Sequence, residues 1–395
     1  MNVFIESIGA WFTSLSINKI IMLIMMIFMM IGAVDRIMGN RYGYGEKFEA
    51  GFRSIGSLAL SMTGIVAATP IIAKLVSPVI TPLYTMIGAD PSMFATSILA
   101  CDMGGYTLAM ELANDPAIGN FAGLILGTTL GPTIVFSIPV ALEIIPRKDF
   151  PYLGAGVMVG LATIPLGCIA GGFTMNIMTE HYIIPEKIFI NLVPVMLMAG
   201  LLIIGLWFIP LKMIAAFNIF GRCITIIVTL LCAIAVFQQI TGIMFPVFNS
   251  MVTPNENGIT PLDSGLITCG RIGIVLIGAF PMVEWITRSC SRILDKIGGI
   301  LKINKKASAG IICSFAHIIP ALNLIKDMDA KGKLLCISFA VSAASIFGAH
   351  IGFTAGIDQS MVIPVIVNKL VGSISAIFLA NILSDKLLNK INCSF

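Results

Sequence analysis

Charged residues are scarce in this chain: Asp, Glu, Lys and Arg make up 11% of its 395 residues, whereas an ordinary soluble domain carries roughly 25%. Hydrophobic residues make up 57%, and the mean hydropathy is +0.99. Because one globular core cannot hide so much apolar surface, the composition excludes an ordinary soluble protein and indicates lipid as the solvent. The small net charge of +4 is typical of membrane orientation and gives no sign of a nucleic-acid partner.

Signatures of metal, cofactor and catalytic chemistry are also missing. The nine cysteines show no CxxC pair and no metal-ligand spacing, so we expect free thiols, no metal and no cofactor. No Ser–His pair and no paired acidic clusters occur, which argues against an enzyme. The first 18 residues include Glu6 and lack a basic start and a small-residue cleavage site. They are therefore predicted as an interfacial lead-in helix rather than a removable signal peptide.

Long apolar runs recur along the whole chain, and each approaches the ~20 residues that a helix needs to cross the hydrocarbon layer. The sequence predicts an all-α polytopic membrane protein with about nine transmembrane helices. The predicted spans are 19–34, 55–76, 117–145, 151–178, 188–208, 223–246, 264–287, 334–356 and 361–383.

Basic residues between the spans predict the orientation. The loop after the first span carries Arg36, Arg41, Lys47 and Arg53, so the positive-inside rule places it in the cytoplasm and the N-terminus outside. The same rule places the C-terminus inside. A basic segment at 288–306 is predicted as a cytoplasmic surface helix.

Two further apolar stretches, at 93–113 and 307–326, are interrupted by Gly, Pro or polar residues. Aligning Asp102 with His317 also aligns "LGTTLGPTIVF" with "VSAASIFGAHIGF" at nearly the same offset, which indicates duplicated halves at 19–180 and 181–395. With the predicted orientation, the first stretch is a re-entrant hairpin from outside and the second from inside. An inverted repeat with discontinuous helices is typical of secondary transporters, and an elevator-type movement is one form of their cycle.

Asp102, in "ACDMGG" within an apolar stretch, is the leading candidate for a binding residue. A carboxylate at the bilayer centre costs ~2.5 to 3.5 kcal/mol on insertion scales, so it needs a partner or a use, and a bound cation supplies both. Met103, Gly104 and Gly105 belong to the same candidate site. The alternative is structural: Asp102 pins a broken helix while Gly104 and Gly105 allow close packing. Glu111, further along, is either a second ligand or an interfacial acid.

Hydroxyl, amide and imidazole groups at the remaining interruptions complete the candidate site. Hydroxyls beside freed carbonyls can bind a substrate hydroxyl, or they can hydrogen-bond back to their own helix. The candidates near Gly131–Pro132 are Thr128, Thr129, Thr133 and Ser137. Those in the second half are His317, Asn323, Ser342, Ser345 and His350.

Several long blocks resemble the ethanolamine-utilisation permease family, EutH: "IIMLIMMIFMMIGAVDRI", "GADPSMFATSILACDMGGYTLAMELA", "GLILGTTLGPTIVFSIPVAL", "TIPLGCIAGG" and "MDAKGKLLCISFAVSAASIFG". The resemblance implies uptake of ethanolamine across the bacterial cytoplasmic (inner) membrane. The chain has "AHIIP" where the family often shows "ANNIP", and Ala349 where the family often has an acidic residue, so the resemblance alone assigns no role to His317 or His350.

The chemistry of ethanolamine agrees with these candidates. The molecule is mostly a protonated cation at neutral or acidic pH, so its carrier needs an anion for the ammonium and hydrogen-bonding groups for the hydroxyl. The inside-negative potential favours entry of a monocation by ~2.3 kcal/mol per 100 mV, so facilitated diffusion suffices. The expected partners are ethanolamine, membrane lipid and further copies of the chain in a homo-oligomer. The alternatives are a sodium- or proton-coupled transporter of another small polar solute, a channel and a membrane-embedded enzyme.

Overall fold

A computed structural model describes residues 2–13, 15–289, 296 and 298–394. This part of the chain is α-helical, and no strand occurs within it, which confirms the predicted all-α class. Its helices are α1 (Asn2–Thr13), α2 (Ile17–Ile37), α3 (Tyr44–Ile87), α4 (Ser92–Ile98), α5 (Gly105–Leu112), α6 (Pro116–Asn120), α7 (Leu130–Pro132), α8 (Ile138–Ile144), α9 (Phe150–Met178), α10 (Pro185–Phe208), α11 (Pro210–Thr241), α12 (Pro261–Ser289), α13 (Lys305–Ala316), α14 (Ile318–Leu324), α15 (Ala330–Ala343), α16 (Ala349–Ile357) and α17 (Val362–Ser394).

Among the described residues, 8 helical stretches are long and apolar enough to cross a membrane. They coincide with eight of the nine predicted spans, and the chain is a multi-pass membrane protein. The ninth predicted span, 334–356, is divided into α15 and α16 by a turn. Within the basic segment 288–306, which was predicted as a surface helix, residues 290–295 and 297 lie outside the described residues, while α12 ends at Ser289 and α13 begins at Lys305.

Buried and lipid-facing helices differ sharply in exposure. The most apolar windows of the stretches Pro116–Ile144 and Arg147–Met178 are 83% and 78% buried inside the protein. In α2 and in Lys212–Thr241 the buried share of that window is 17%. Because apolar side chains left uncovered by protein need lipid around them, α2 and α11 form the periphery, and the interrupted helices form the centre.

The most extensive helix contacts join α3 to α12 and α9 to α17. Small residues permit this approach: a Cβ on Gly51 of α3 would lie 2.5 Å from the Ile277 Cα of α12. Each pair joins one helix from 19–180 to one from 181–395. Helices of the two predicted halves therefore pack against one another.

Both predicted hairpin stretches are interrupted. Between α4 and α5 the chain is extended at Leu99 and Ala100, makes a 3₁₀ turn over Cys101–Met103, and turns at Gly104 with φ of 81°. Between α13 and α14 the interruption is a single extended residue, His317, with φ of −162° and ψ of 148°. These interruptions release backbone groups from helical hydrogen bonding in the middle of the protein.

Candidate functional site

The interrupted hairpins pack directly on the interrupted spans. The span 116–144 is broken at Thr129, and beside this break Gly131 has no room for a Cβ because the Leu99 carbonyl lies against it. In the second half, Gly348 likewise has no room for a Cβ because the Ala316 carbonyl lies against it. The four breaks thus converge at one place.

A cavity of about 390 Å³ opens where these breaks meet. Its walls come from α3, both hairpin breaks, both broken spans, α11 and α12. Its lining residues are Ser54, Ser57, Leu58, Ser61, Ala100, Asp102, Met103, Pro132, Phe136, Ser137, Thr225, Leu276, Phe280, His317, Ile318, Ala344, Ser345, Ala349 and His350.

Asp102 is the one carboxylate among the described residues that line this cavity. It lies in the 3₁₀ turn between α4 and α5, where the next residues are Met103, which also lines the cavity, and Gly104. Gly104 packs against the Ile65 side chain of α3, so a Cβ there would clash. The turn is therefore fixed by packing, and the fixed turn presents a negative charge to the cavity.

His317 lines the same cavity from the second hairpin break. Its Nδ1 accepts a hydrogen bond from the backbone N–H of Ile319 at 3.2 Å, which caps α14. In a neutral ring, an accepting Nδ1 leaves the N–H on Nε2. The ring meets Phe136 edge-on, with centroids 5.8 Å apart. His317 thus offers the cavity a hydrogen-bond donor held in one orientation.

His350 lines the cavity at the start of α16, and behind it lies a lysine that the sequence analysis did not single out. Lys369 of α17 is fully buried, and its Nζ donates to the Thr128 carbonyl at 2.6 Å and lies 3.1 Å from His350 Nδ1. Lys369 could have been identified from the sequence, because a lysine inside an apolar span is as exceptional as Asp102.

Cys101, Asp102 and His350 hold donor atoms within 4.8 Å of one another. A metal ion bound there would have the Lys369 ammonium as a neighbour, because Lys369 Nζ already contacts the His350 ring at 3.1 Å. A second cation close to that ammonium is opposed by like-charge repulsion in a medium of low dielectric. Metal binding by these three side chains would therefore require Lys369 to be neutral.

All three predicted threonines donate hydrogen bonds to carbonyls of their own helical stretch. Thr128, Thr129 and Thr133 are buried and donate to the carbonyls of Ile125, Leu126 and Thr129, at 3.1, 3.0 and 2.8 Å. None of the three lines the cavity. Ser137 and Ser345 do line it, so two of the predicted hydroxyls lie where a substrate can reach them.

Other predicted residues also lie outside the cavity. Glu111 and Asn323 are exposed near the ends of α5 and α14. Ser342 is fully buried, and its hydroxyl has no hydrogen-bond partner. Gly105 packs on the Ala100 carbonyl. These four residues do not meet Asp102, His317 and His350 around the cavity.

Three serines of α3 were not predicted. Ser54, Ser57 and Ser61 of this helix line the cavity. Their spacing of three and four residues places them on one face of α3, so a polar stripe on an apolar helix was the available signal.

The sequence matches one protein family over most of its length. Residues 17–383 match the family model described as "Ethanolamine utilisation protein, EutH". A protein of Listeria monocytogenes named "Probable ethanolamine permease EutH" is 46% identical over 95% of this chain and 96% of its own length. A protein of Salmonella typhimurium with the same name is 42% identical over 94% of this chain and 97% of its own length. No solved structure matches.

Proposed function

We propose that this chain, which belongs to the ethanolamine utilisation protein family EutH, transports ethanolamine into bacteria across the cytoplasmic membrane as the protonated cation. The observation that carries the proposal is Asp102, a carboxylate that lines a cavity where four interrupted helices meet. The names of the relatives support the substrate, since they describe probable ethanolamine permeases.

The cavity offers a partner for each end of ethanolammonium. The ammonium carries three N–H donors and a positive charge, and Asp102 supplies the anion. The hydroxyl both donates and accepts, and His317, Ser137 and Ser345 supply matching groups around the same space. Phe136 covers the two methylene groups. A cavity of about 390 Å³ also leaves room for water around a molecule this small.

Transport proceeds in this proposal by alternating access. The cavity is built from helix interruptions, and the packing contacts of Gly131 and Gly348 hold each interrupted span against a hairpin. Movement of the hairpins with these spans, relative to α3 and α12, would expose the cavity to each side in turn, as in elevator-type carriers. A homo-oligomer would supply the fixed scaffold for this movement.

The orientation belongs to the same proposal. If the eight long stretches and the one divided span each cross the membrane, the number of crossings is odd and the two ends of the chain lie on opposite sides. The positive-inside rule then places the N-terminus outside and the C-terminus inside.

Uptake of labelled ethanolamine into proteoliposomes at acidic external pH tests the proposal. We expect saturable uptake by the wild type and at least a tenfold loss in Asp102→Asn, because the amide keeps the shape and removes the charge. The matched control is Asp115→Asn, on the surface after α5, where Asn still caps α6. It should transport as the wild type does.

The outcomes are distinct. Equal uptake by the wild type and Asp102→Asn would disprove the assigned site. If choline fails to inhibit the uptake of ethanolamine, the site requires the N–H groups of the ammonium, and if 1-aminopropane fails to inhibit it, the site requires the hydroxyl. If the wild type takes up no ethanolamine but takes up another small polar solute driven by sodium or protons, that solute and not ethanolamine is the substrate.

A further inference from the structure

Lys369 is a buried cation beside the cavity that the binding of ethanolamine does not use. Its side chain is 0% exposed and it is absent from the cavity lining. Its Nζ has two close partners, the Thr128 carbonyl at 2.6 Å and His350 Nδ1 at 3.1 Å. Since buried charges in membranes are paired and mark functional pathways, this lysine needs an explanation.

His350 stands between Lys369 and the cavity. The ring lines the cavity, and one of its nitrogens contacts Lys369 Nζ. A His350 ring nitrogen also lies within 4.8 Å of the Asp102 carboxylate and of the Cys101 sulfur. An imidazole can accept a proton on one nitrogen and release another from the second. The ring therefore connects a buried ammonium to the space where the substrate binds.

The two contacts of Lys369 suit both of its protonation states. As an ammonium, Nζ donates to the Thr128 carbonyl and to His350 Nδ1. As a neutral amine, it keeps an N–H for the carbonyl and offers its lone pair to an N–H on Nδ1. The proton can thus leave without a rearrangement of the partners.

The total charge of the ionisable groups around Lys369 changes when the substrate binds. The ionisable groups facing Lys369 are Cys101, Asp102 and His350, and His317 interacts with His350 in turn. With the thiol and both imidazoles neutral, Asp102 and the Lys369 ammonium sum to zero. A bound ethanolammonium would raise the sum to one positive charge in a low-dielectric region, which is costly.

We propose that ethanolammonium and the proton on Lys369 exclude each other, with His350 as the relay, so that each substrate cation entering the cell is exchanged for one proton leaving it. This inference rests on the proposed function and specifies its coupling. As the substrate binds at Asp102, Lys369 passes its proton to His350 Nδ1, and the ring releases its other N–H proton to water in the cavity. After the substrate leaves on the inside, Lys369 takes a proton back by the reverse path.

The loaded and empty sites then carry the same charge. One positive charge moves in with the substrate and one moves out on Lys369, so the cycle transfers no net charge. A uniport of the cation would instead move one charge, and a potential of about 100 mV would then accumulate the substrate roughly 50-fold. Substrate accumulation therefore depends on the membrane potential in a uniport and does not depend on it in the exchange.

The experiment uses proteoliposomes at equal internal and external pH, with a valinomycin potassium potential of zero or about 100 mV, inside negative. Labelled ethanolamine and a lumenal pH dye are followed together, and protein-free liposomes correct for the neutral amine. For the wild type we expect the same uptake at both potentials, within about twofold, and alkalinisation of the lumen. For Lys369→Met, the site keeps Asp102 but loses its tethered cation, so uptake should respond to the potential and the pH signal should vanish.

Lys386→Met is the matched control, since this exposed lysine lies on the same helix, and it should behave as the wild type does. His350→Gln keeps a hydrogen-bonding partner for Lys369 and cannot relay protons, so the pH signal should fall at least tenfold even if Lys369→Met does not fold. Wild-type accumulation that rises with the potential, without proton movement, would overturn the proposal and leave ethanolamine transport intact. Absence of any protein-dependent uptake by the wild type would instead reject the proposed function.

Discussion

The Leu99 carbonyl of the first hairpin lies against the α-carbon of Gly131, so closely that a Cβ on Gly131 cannot be accommodated. Gly348 stands in the same relation to the Ala316 carbonyl. The same number of residues separates Gly131 from Gly348 and Leu99 from Ala316. An internal duplication predicts this equality, so the pair of contacts agrees with the predicted duplication of the two halves.

Gly131→Ala should separate the first hairpin from its span. The new Cβ meets backbone atoms, which cannot rotate away as a side chain can, so we expect a loss of about 1 to 3 kcal/mol in stability and at least a tenfold loss of uptake. Thermal unfolding in detergent and proteoliposome uptake measure the two effects. Gly154→Ala in α9, where a Cβ meets nothing within 4 Å, is the control and should be neutral or slightly stabilising. Full activity in Gly131→Ala would show that the hairpin and span need not stay in contact.

A buried ion pair joins α15 to the turn before α9. Lys333 Nζ lies 2.6 Å from Asp149 Oδ1, and the Asp149 side chain is 2% exposed. Lys333→Met should destabilise the protein by about 3 to 5 kcal/mol, because it leaves a buried carboxylate without its partner. Thermal unfolding should show recovery in the double variant with Asp149→Asn.

The control for that pair is Lys47→Met. The Lys47 side chain is 43% exposed and its contact with Glu284 is 3.4 Å, so the expected loss is about 1 kcal/mol or less. Equal effects of Lys333→Met and Lys47→Met would mean that the Lys333–Asp149 pair contributes no more than a surface contact.

Ser345 holds a strained conformation in the cavity wall. Its φ of 61° lies in the left-handed region that side chains avoid, at a cost of roughly 1 to 2 kcal/mol. Ser345→Gly should therefore raise the unfolding temperature while it raises the KM for ethanolamine several-fold, because the hydroxyl is lost. Lys302→Gly, with φ of 54° on the exterior, should raise stability without changing KM. Unchanged KM in Ser345→Gly would remove this hydroxyl from the site.

The site residues that the sequence predicted correctly are polar or charged residues within apolar runs. Asp102 and His317 interrupt apolar runs, and the structure places both in one cavity. Lys369 gives the same kind of signal, but it lies in a span of high mean hydropathy. The stretch was predicted as a span as a whole, and the single lysine within it was not considered. A charged residue in an otherwise apolar window is informative by itself.

Several predicted site residues do not line the cavity. Their positions depend on the rotation and length of the helices, which residue spacing alone does not determine. Thr133 and Ser137 are one turn apart, yet only Ser137 lines the cavity. The Thr133 hydroxyl instead donates to the Val341 carbonyl of α15 at 3.3 Å. Glu111 and Asn323 lie at the far ends of their short helices, and the length of each hairpin arm decides this placement. Neither the direction in which each helix face points nor the arm length can be predicted from residue types.

Asp358, in the loop between α16 and α17, makes a pH-dependent contribution to stability. Burial alone would raise the pKa of its carboxyl, but hydrogen bonds from Ser360 and His181 outweigh burial, and the pKa is lowered. His181 Nε2 lies 2.7 Å from Asp358 Oδ2. A carboxyl with a lowered pKa stabilises the folded state above its unfolded pKa of ~3.9, and this stabilisation disappears as the pH falls through the folded pKa.

Asp358→Asn should therefore lower the unfolding temperature at pH 7 and flatten its decline below pH ~4, where the wild type loses the same contribution. Unfolding temperatures from about pH 7 to pH 3 measure both slopes. Glu256→Gln, at an exposed carboxylate before α12, should leave the wild-type curve unchanged. Parallel curves for the wild type and Asp358→Asn across the acidic range would mean that the contacts with Ser360 and His181 contribute equally when the carboxyl is protonated, and that the acid sensitivity of the fold originates elsewhere.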